Sequence, residues 1–360
     1  MEKGDTMSRA QMIRSLELAG VIVLFSILFL FQAGGHHPAA AAERESGSGY
    51  TAWISGKDIS VNKSGINTIE KSYYSRDLNK KAMKIYKALY KKSGKSEKKV
   101  KVKLAKKITV KLSKSAFKKG KLNDQKKVAA LDLICDKATT ALTCSNIDCY
   151  WINHFTWRFH YTYKKVSKKK VSVRIDSIIF KPVQVYKGAR EDHKTVKAIA
   201  QKAAANIMRT RPNKTHFTTA RLIYEYLIKL VSYGHNNNSG VEYSPAGALL
   251  PKYNHICVCD GYARAFKMIC DYCNVPCLYV SSVRAKHAWN MVQLESGKWY
   301  GVDATWGDAG KTASLRWFMY GQNEVNNKEH PGDSDYMFGD ESYDFAIPAL
   351  EPIGIGYSGK

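Results

Sequence analysis

Val258-Cys259-Asp260-Gly261-Tyr262-Ala263 is followed by Lys286-His287-Ala288-Trp289-Asn290, and then by Lys298-Trp299-Tyr300-Gly301-Val302-Asp303-Ala304-Thr305-Trp306-Gly307-Asp308. Cysteine, histidine and aspartate come in that order. Tyr262, Ala263, Ala265, Phe266, Ile269 and Cys270 recur at helical steps, which predicts a helix starting just after Cys259 and Gly261. The sulfur would then lie at the positive end of the helix dipole. His287 to Leu294 and Lys298 to Asp303 read as two strands joined around Glu295-Ser296-Gly297. In that register Trp289 faces Asp303, so His287 lies diagonally from Asp303 on the same face. A slip of one residue would put them on opposite faces. A free thiol is mostly protonated at neutral pH, so a nucleophilic one needs a neighbouring imidazole. The spacing lets Asp303 hold that imidazole, as the third member of a triad does.

Working outward, 360 residues suggest two folded units at about 150 residues per domain. A composition of 44% apolar and 24% charged residues excludes a wholly disordered, collagen-like or multi-span membrane chain. Fifty-seven Lys and Arg against thirty-one Asp and Glu give +26, which calls for anionic partners. Lys3, Arg9 and Arg14 precede an apolar run from Leu18 to Phe31, and small residues follow through Ala42. Residues 1–42 therefore read as a cleaved signal peptide or an uncleaved N-terminal membrane anchor, and the protein is expected to be secreted or at the cell surface. Nucleic acid is scarce there, so the basic region is expected to meet an anionic cell-wall polymer or a membrane surface instead.

Residues 43–50 read as a linker, 51–187 as a lysine-rich, strand-containing N-terminal domain, and 188–360 as the catalytic domain. Lys91 to Lys127 holds sixteen lysines against Glu97 and Asp124, a net of 16 − 2 = +14. Val100 to Leu104 and Ile108 to Leu112 partly alternate, which suits exposed strands with a lysine outer face. Such a face can be a solvated edge that blocks pairing or a docking surface for an anionic polymer. Trp157, Phe159, Tyr161 and Tyr163 keep a period of two, as one buried sheet face or a ligand platform would, and Val171 to Ile175 completes a hairpin. After Gly188 the period becomes helical at Val196, Ile199, Ala203 and Ile207. It recurs at Leu222, Tyr226, Leu227 and Leu230 behind a cap signal at Thr218-Thr219.

The Val-Cys-Asp-Gly-Tyr-Ala, His-Ala-Trp-Asn and Val-Asp-Ala-Thr-Trp strings resemble the transglutaminase-like superfamily, in particular its exported bacterial members, from about Thr218 to His330. The resemblance implies an α+β fold with a papain-like core: a helix carrying Cys259 packed on an antiparallel sheet carrying His287 and Asp303. It also implies Cys259 as nucleophile, His287 as general base and acid, and Asp303 as orienter. The expected function is thioester acyl transfer on peptide or glutamine carboxamide carbonyls, as a peptidase or amidase or as a protein cross-linker. The alternative is a non-catalytic surface module that binds peptides or polyanions. The substrate would be a peptide or protein, with no cofactor and no metal. Cys257 stands where the family commonly has Gly, either as a small packed residue or as a redox partner of Cys259. The backbone N–H of Cys259 is a candidate oxyanion donor, and Tyr243 and Asn254 are candidate polar neighbours. Cys270, Cys273 and Cys277 suit core packing better than a metal or a disulfide.

Overall fold

The computed structural model describes residues 5–8, 73–92, 97–118, 126–237, 239–282, 286–310, 312–325, 345 and 348–356. They form two compact units: 5–8 with 77–184, and 73–76 with 185–356. The leader or anchor and the linker expected at 1–42 and 43–50 lie outside the described residues, apart from Asp5–Ser8. Among the described residues no helix is long and apolar enough to cross a membrane.

In the first unit, Asn79 opens helix α1 (Lys80–Lys92) by accepting the N–H groups of Lys81 and Ala82 at 3.1 and 3.0 Å. Ala82, Ile85, Tyr86 and Leu89 give this helix its buried stripe. Strand β1 (Asp5–Ser8), β2 (Val100–Ser113), β3 (Ile152–Lys165) and β4 (Lys170–Gln184) form an antiparallel sheet in the order β1-β3-β4-β2. The two lysine-bearing stretches are one edge strand, β2, with a register shift between Lys103 and Ile108. Val100, Val102, Val110 and Leu112 turn inward along it, and Lys101, Lys103 and Lys111 turn outward. Between β2 and β3 come a short helix α2 (Lys114–Lys118) and a long one, α3 (Lys126–Ser145). Trp157, Phe159 and Tyr161 of the aromatic stripe are buried, and the Trp157 indole donates to Asp132 of α3 at 2.5 Å. The stripe is thus a core face.

In the second unit, α4 (Ala189–Thr210) begins after Gly188, whose φ of 94° turns the chain out of β4. Helix α5 (His216–Leu230) is capped three residues before the expected Thr218: Thr215 is the N-cap, its hydroxyl accepting the N–H of Thr218 at 3.2 Å. Its buried face also differs from the expected one. Ala220, Ile223, Tyr224 and Leu227 are buried, whereas Leu222, Tyr226 and Leu230 are only partly so. Tyr224 sets this rotation by donating to the Ser314 carbonyl and packing 5.2 Å from the Phe318 ring.

Helix α6 (Pro245–Leu249) and helix α7 (Cys259–Tyr272) follow. A two-residue parallel bridge joins β5 (Ser232–Tyr233) to β6 (Ile256–Cys257). Strands β7 (Cys277–Ser282), β8 (His287–Gln293), β9 (Trp299–Val302) and β10 (Phe318–Tyr320) form the second antiparallel sheet, order β10-β9-β8-β7, before the short α8 (Gln322–Val325). Helix α7 packs on β7 and β8 on one side and against α4, α5 and α6 on others. The N-terminal stretch expected as one domain is divided. Tyr73 meets Trp299 edge-on at 5.6 Å and the Tyr74 hydroxyl donates to the Tyr279 carbonyl, so residues 73–76 belong to the second unit.

Candidate active site

Cys259 is the first residue of α7 and is partly exposed. Val258 before it is extended and supplies no side-chain cap, so the positive end of the helix lies at the cysteine. Three contacts fix this helix end. Asp260 accepts from the Tyr279 hydroxyl of β7 and lies 3.5 Å from Arg264, whose guanidinium sits 4.3 Å over the Tyr279 ring. Tyr262 donates to Asp308, beyond β9, at 2.6 Å. The Asn290 amide donates to Ala263 of α7 at 3.0 Å and to Leu278 of β7 at 3.1 Å, tying helix to sheet.

The β8–β9 hairpin pairs Gln293 with Trp299, Met291 with Gly301 and Asn290 with Val302, so its continuation sets Trp289 opposite Asp303. This is the register expected from the Glu295-Ser296-Gly297 loop. His287 opens β8, and its Nε2 lies 2.7 Å from Asp303 Oδ2. Asp303 is fully buried, and its other oxygen accepts the N–H groups of Thr305 and Trp306 at 2.9 and 3.0 Å. The carboxylate therefore cannot swing away without losing two backbone bonds. Trp306 stacks on the imidazole at 5.2 Å and Trp289 lies on it at 6.2 Å. Burial works against a charged His287 ring. The charge of Asp303, the charge of Cys259 and hydrogen bonds to both outweigh it, and push its pKa up to about 10. With Nε2 on Asp303, Nδ1 is the nitrogen left for the sulfur. A partly exposed thiol at a helix start, hydrogen-bonded to an imidazole held by a buried carboxylate, is chemically suited to nucleophilic attack on a carbonyl carbon.

Comparison with known families places this segment. Residues 185–304 match the transglutaminase-like superfamily. Over that segment the chain is similar to this superfamily. No curated protein matches the chain.

Within this transglutaminase-like domain, Cys257 is fully buried. A Cβ added at Gly261 would meet Cys257 Cβ at 2.5 Å and Sγ at 2.6 Å, so the thiol fills space that only a glycine on the facing turn leaves open. Burial first, and then the charge of Cys259, hold the Cys257 thiol well above the ordinary range. None of the eight cysteines is in a disulfide. Cys270, Cys273 and Cys277 are buried in the core, and Cys270 is hydrogen-bonded to Cys277.

The Tyr243 hydroxyl is raised by burial first and then by the charges of Glu242, Asp260 and Cys259. Asn254 is exposed and, with φ of 56°, closes the turn Pro251–Tyr253. Tyr233 is a neighbour that no sequence signal announced. It pairs with Cys257 across the β5–β6 bridge; its side chain is about half exposed, and its hydroxyl is raised by partial desolvation first and then by charges that include Cys259 and Asp303. A two-residue bridge has no periodicity to detect. Trp306 and Asn290 stand inside the motif strings but receive their roles, stacking on His287 and tying helix to sheet, only from the fold.

Proposed function

We propose that the protein is an exported cysteine-dependent acyl-transfer enzyme with a papain-like core, acting on peptide or glutamine carboxamide carbonyls through Cys259, His287 and Asp303. One observation carries this reading: the His287–Asp303 contact of 2.7 Å, with the raised imidazole hydrogen-bonded to a cysteine at the start of α7. In the acylation step the Cys259 thiolate attacks the carbonyl carbon and the π electrons move onto oxygen. The backbone N–H of Cys259 is the donor we assign to that oxyanion, and Tyr243, whose hydroxyl senses the Cys259 charge, is the side-chain candidate. The imidazolium of His287 gives its proton to the leaving nitrogen as the C–N bond breaks, leaving a thioester and releasing ammonia or an amine. Neutral His287 then takes a proton from the incoming water or amine, that nucleophile adds to the thioester, and the C–S bond breaks. Asp303 keeps Nε2 occupied throughout, so Nδ1 serves both steps. Water is the preferred acceptor outside a cell, where it competes with every amine. Export rests on the apolar run Leu18 to Phe31 behind three basic residues.

Incubation with a blocked glutamine dipeptide and with unfolded casein, plus hydroxylamine as a trapping nucleophile, tests the reaction. Hydroxamate, free acid or ammonia should form, with a transient mass adduct on Cys259, and none of these should appear in Cys259→Ala. Turnover that survives Cys259→Ala would contradict the assignment.

A further inference from the structure

The sheet of the first unit has two unlike faces. Trp157, Phe159 and Tyr161 turn to the side where α3 packs, and Val100, Val102 and Val110 share it. The strand registers bring a different set together on the opposite side. Arg158 and Lys101 flank Ile179 in one row, Arg174 stands between Thr162 and Thr109 in another, and Lys164 and Lys111 flank Ser172 in a third. These five cations are exposed. Among the described residues of this face Asp176 is the one carboxylate, and it is engaged by His160 at 2.9 Å and Ser177 at 2.7 Å. Edge protection explains lysines on β2, but Arg158, Lys164 and Arg174 stand on β3 and β4, which are interior strands.

We propose that this face is a docking surface for an extracellular phosphodiester polymer without bases, of the poly(glycerol phosphate) type. Same-face side chains recur about every 7 Å along a strand, with strands about 4.8 Å apart, so a flexible polyanion meets a cation or a hydroxyl donor at each step. Nucleic-acid platforms on a sheet stack bases on outward aromatic rings, and here the rings face the helix. Lipid surfaces are held by exposed apolar side chains that insert, and on this face of β4 the apolar groups, Ile179 and Val183, are only partly exposed. The leader pattern in residues 18–42 directs the unit to where wall polymers are found. The inference is independent of the acyl-transfer chemistry.

Fluorescence anisotropy of labelled poly(glycerol phosphate) with the full-length protein, over a salt series, tests it. Affinity should fall steeply with salt, at about 0.7 of a log unit per log unit of salt for each phosphate contacted. Lys101→Glu, Lys164→Glu and Arg174→Glu combined should weaken binding at least about tenfold and flatten the salt slope by about two. The matched triple Lys81→Glu, Lys84→Glu and Lys87→Glu on α1, with the same change in net charge, should stay within about twofold of wild type. If the first triple melts early, the Lys101→Gln, Lys164→Gln and Arg174→Gln protein replaces it. Equal loss in both triples would reduce the effect to net charge and overturn the proposal. So would single-stranded DNA or phosphatidylglycerol vesicles binding as tightly through the same three residues.

Discussion

Cys257 and Gly261 occupy one another's space, and this fixes what can stand two residues before the nucleophile. In Gly261→Ala the new methyl meets Cys257 Cβ at 2.5 Å and the Glu242 carbonyl at 2.8 Å. We expect a loss of about 2 kcal/mol or more in denaturant unfolding. Adding Cys257→Gly should recover part of it, since the Glu242 clash remains, and a double-mutant cycle would show the coupling. Cys257→Ala alone should leave Cys259 as reactive as in wild type. If Cys259 instead is blocked in wild type until reduced, and free in Cys257→Ala, then Cys257 is a redox partner and not a packed residue. Asp303 has two separable duties. Asp303→Asn keeps the shape but removes the charge that raises His287, and turnover should fall about 10²- to 10⁴-fold. Asp303→Ala also strips the acceptor from Thr305 and Trp306 N–H, so it should lower the melting temperature as well.

Among the elements, α7 and the β8–β9 hairpin hold the chemistry, and Asn290 is the tie between them. Asn290→Ala leaves the Ala263 and Leu278 carbonyls without this donor and should cost about 1–3 kcal/mol, read as a drop in the unfolding midpoint. The hairpin also sets a pH dependence. His287 is raised from 6.5 to about 10 in the fold, so its contribution to stability is complete below about 6.5 and is lost as pH rises through about 10. Melting curves of wild type and His287→Ala should therefore converge between those values. At the acid end, Asp192 accepts from Tyr186 at 2.9 Å, from Tyr253 at 2.7 Å and from Lys252. Burial alone would raise its pKa, but these donors hold it below the usual carboxylate value. Its contribution is present above that value and lost as pH falls through the lowered one, so Asp192→Asn should erase part of the acid sensitivity of unfolding.

The helix at Cys259 and the hairpin register were legible because each depends on local period and loop length: Tyr262 to Cys270 for one, Glu295 to Gly297 for the other. The buried face of α5 was not, since Tyr224 is chosen by Ser314 and Phe318, some ninety residues away in the chain. Tyr233 was hidden for the same reason, its place being set by a pairing with Cys257.

At the scale of the whole molecule, the chain combines a transglutaminase-like segment at 185–304 with a sheet-and-helix unit whose outward face is basic. Both units draw their character from alternation. Along β2 and β3 it sends apolar groups to the core and cations outward, and along β8 it aligns His287 with Asp303. Even the +26 of the chain is patterned, with strands converting a lysine-rich sequence into a charged plane. Composition alone showed the excess but not the plane, because the rows on β3 and β4 come from pairing across the sheet. The central claim, an activated Cys259–His287 pair, is tested most directly by the rate of iodoacetamide alkylation at Cys259 against pH, read by peptide mass spectrometry in wild type and in His287→Ala. The account predicts rapid alkylation of wild type at neutral pH without reductant, and a marked slowing there in His287→Ala. Equal rates in the two proteins across the pH range, or a Cys259 that reacts only after reduction, would contradict it.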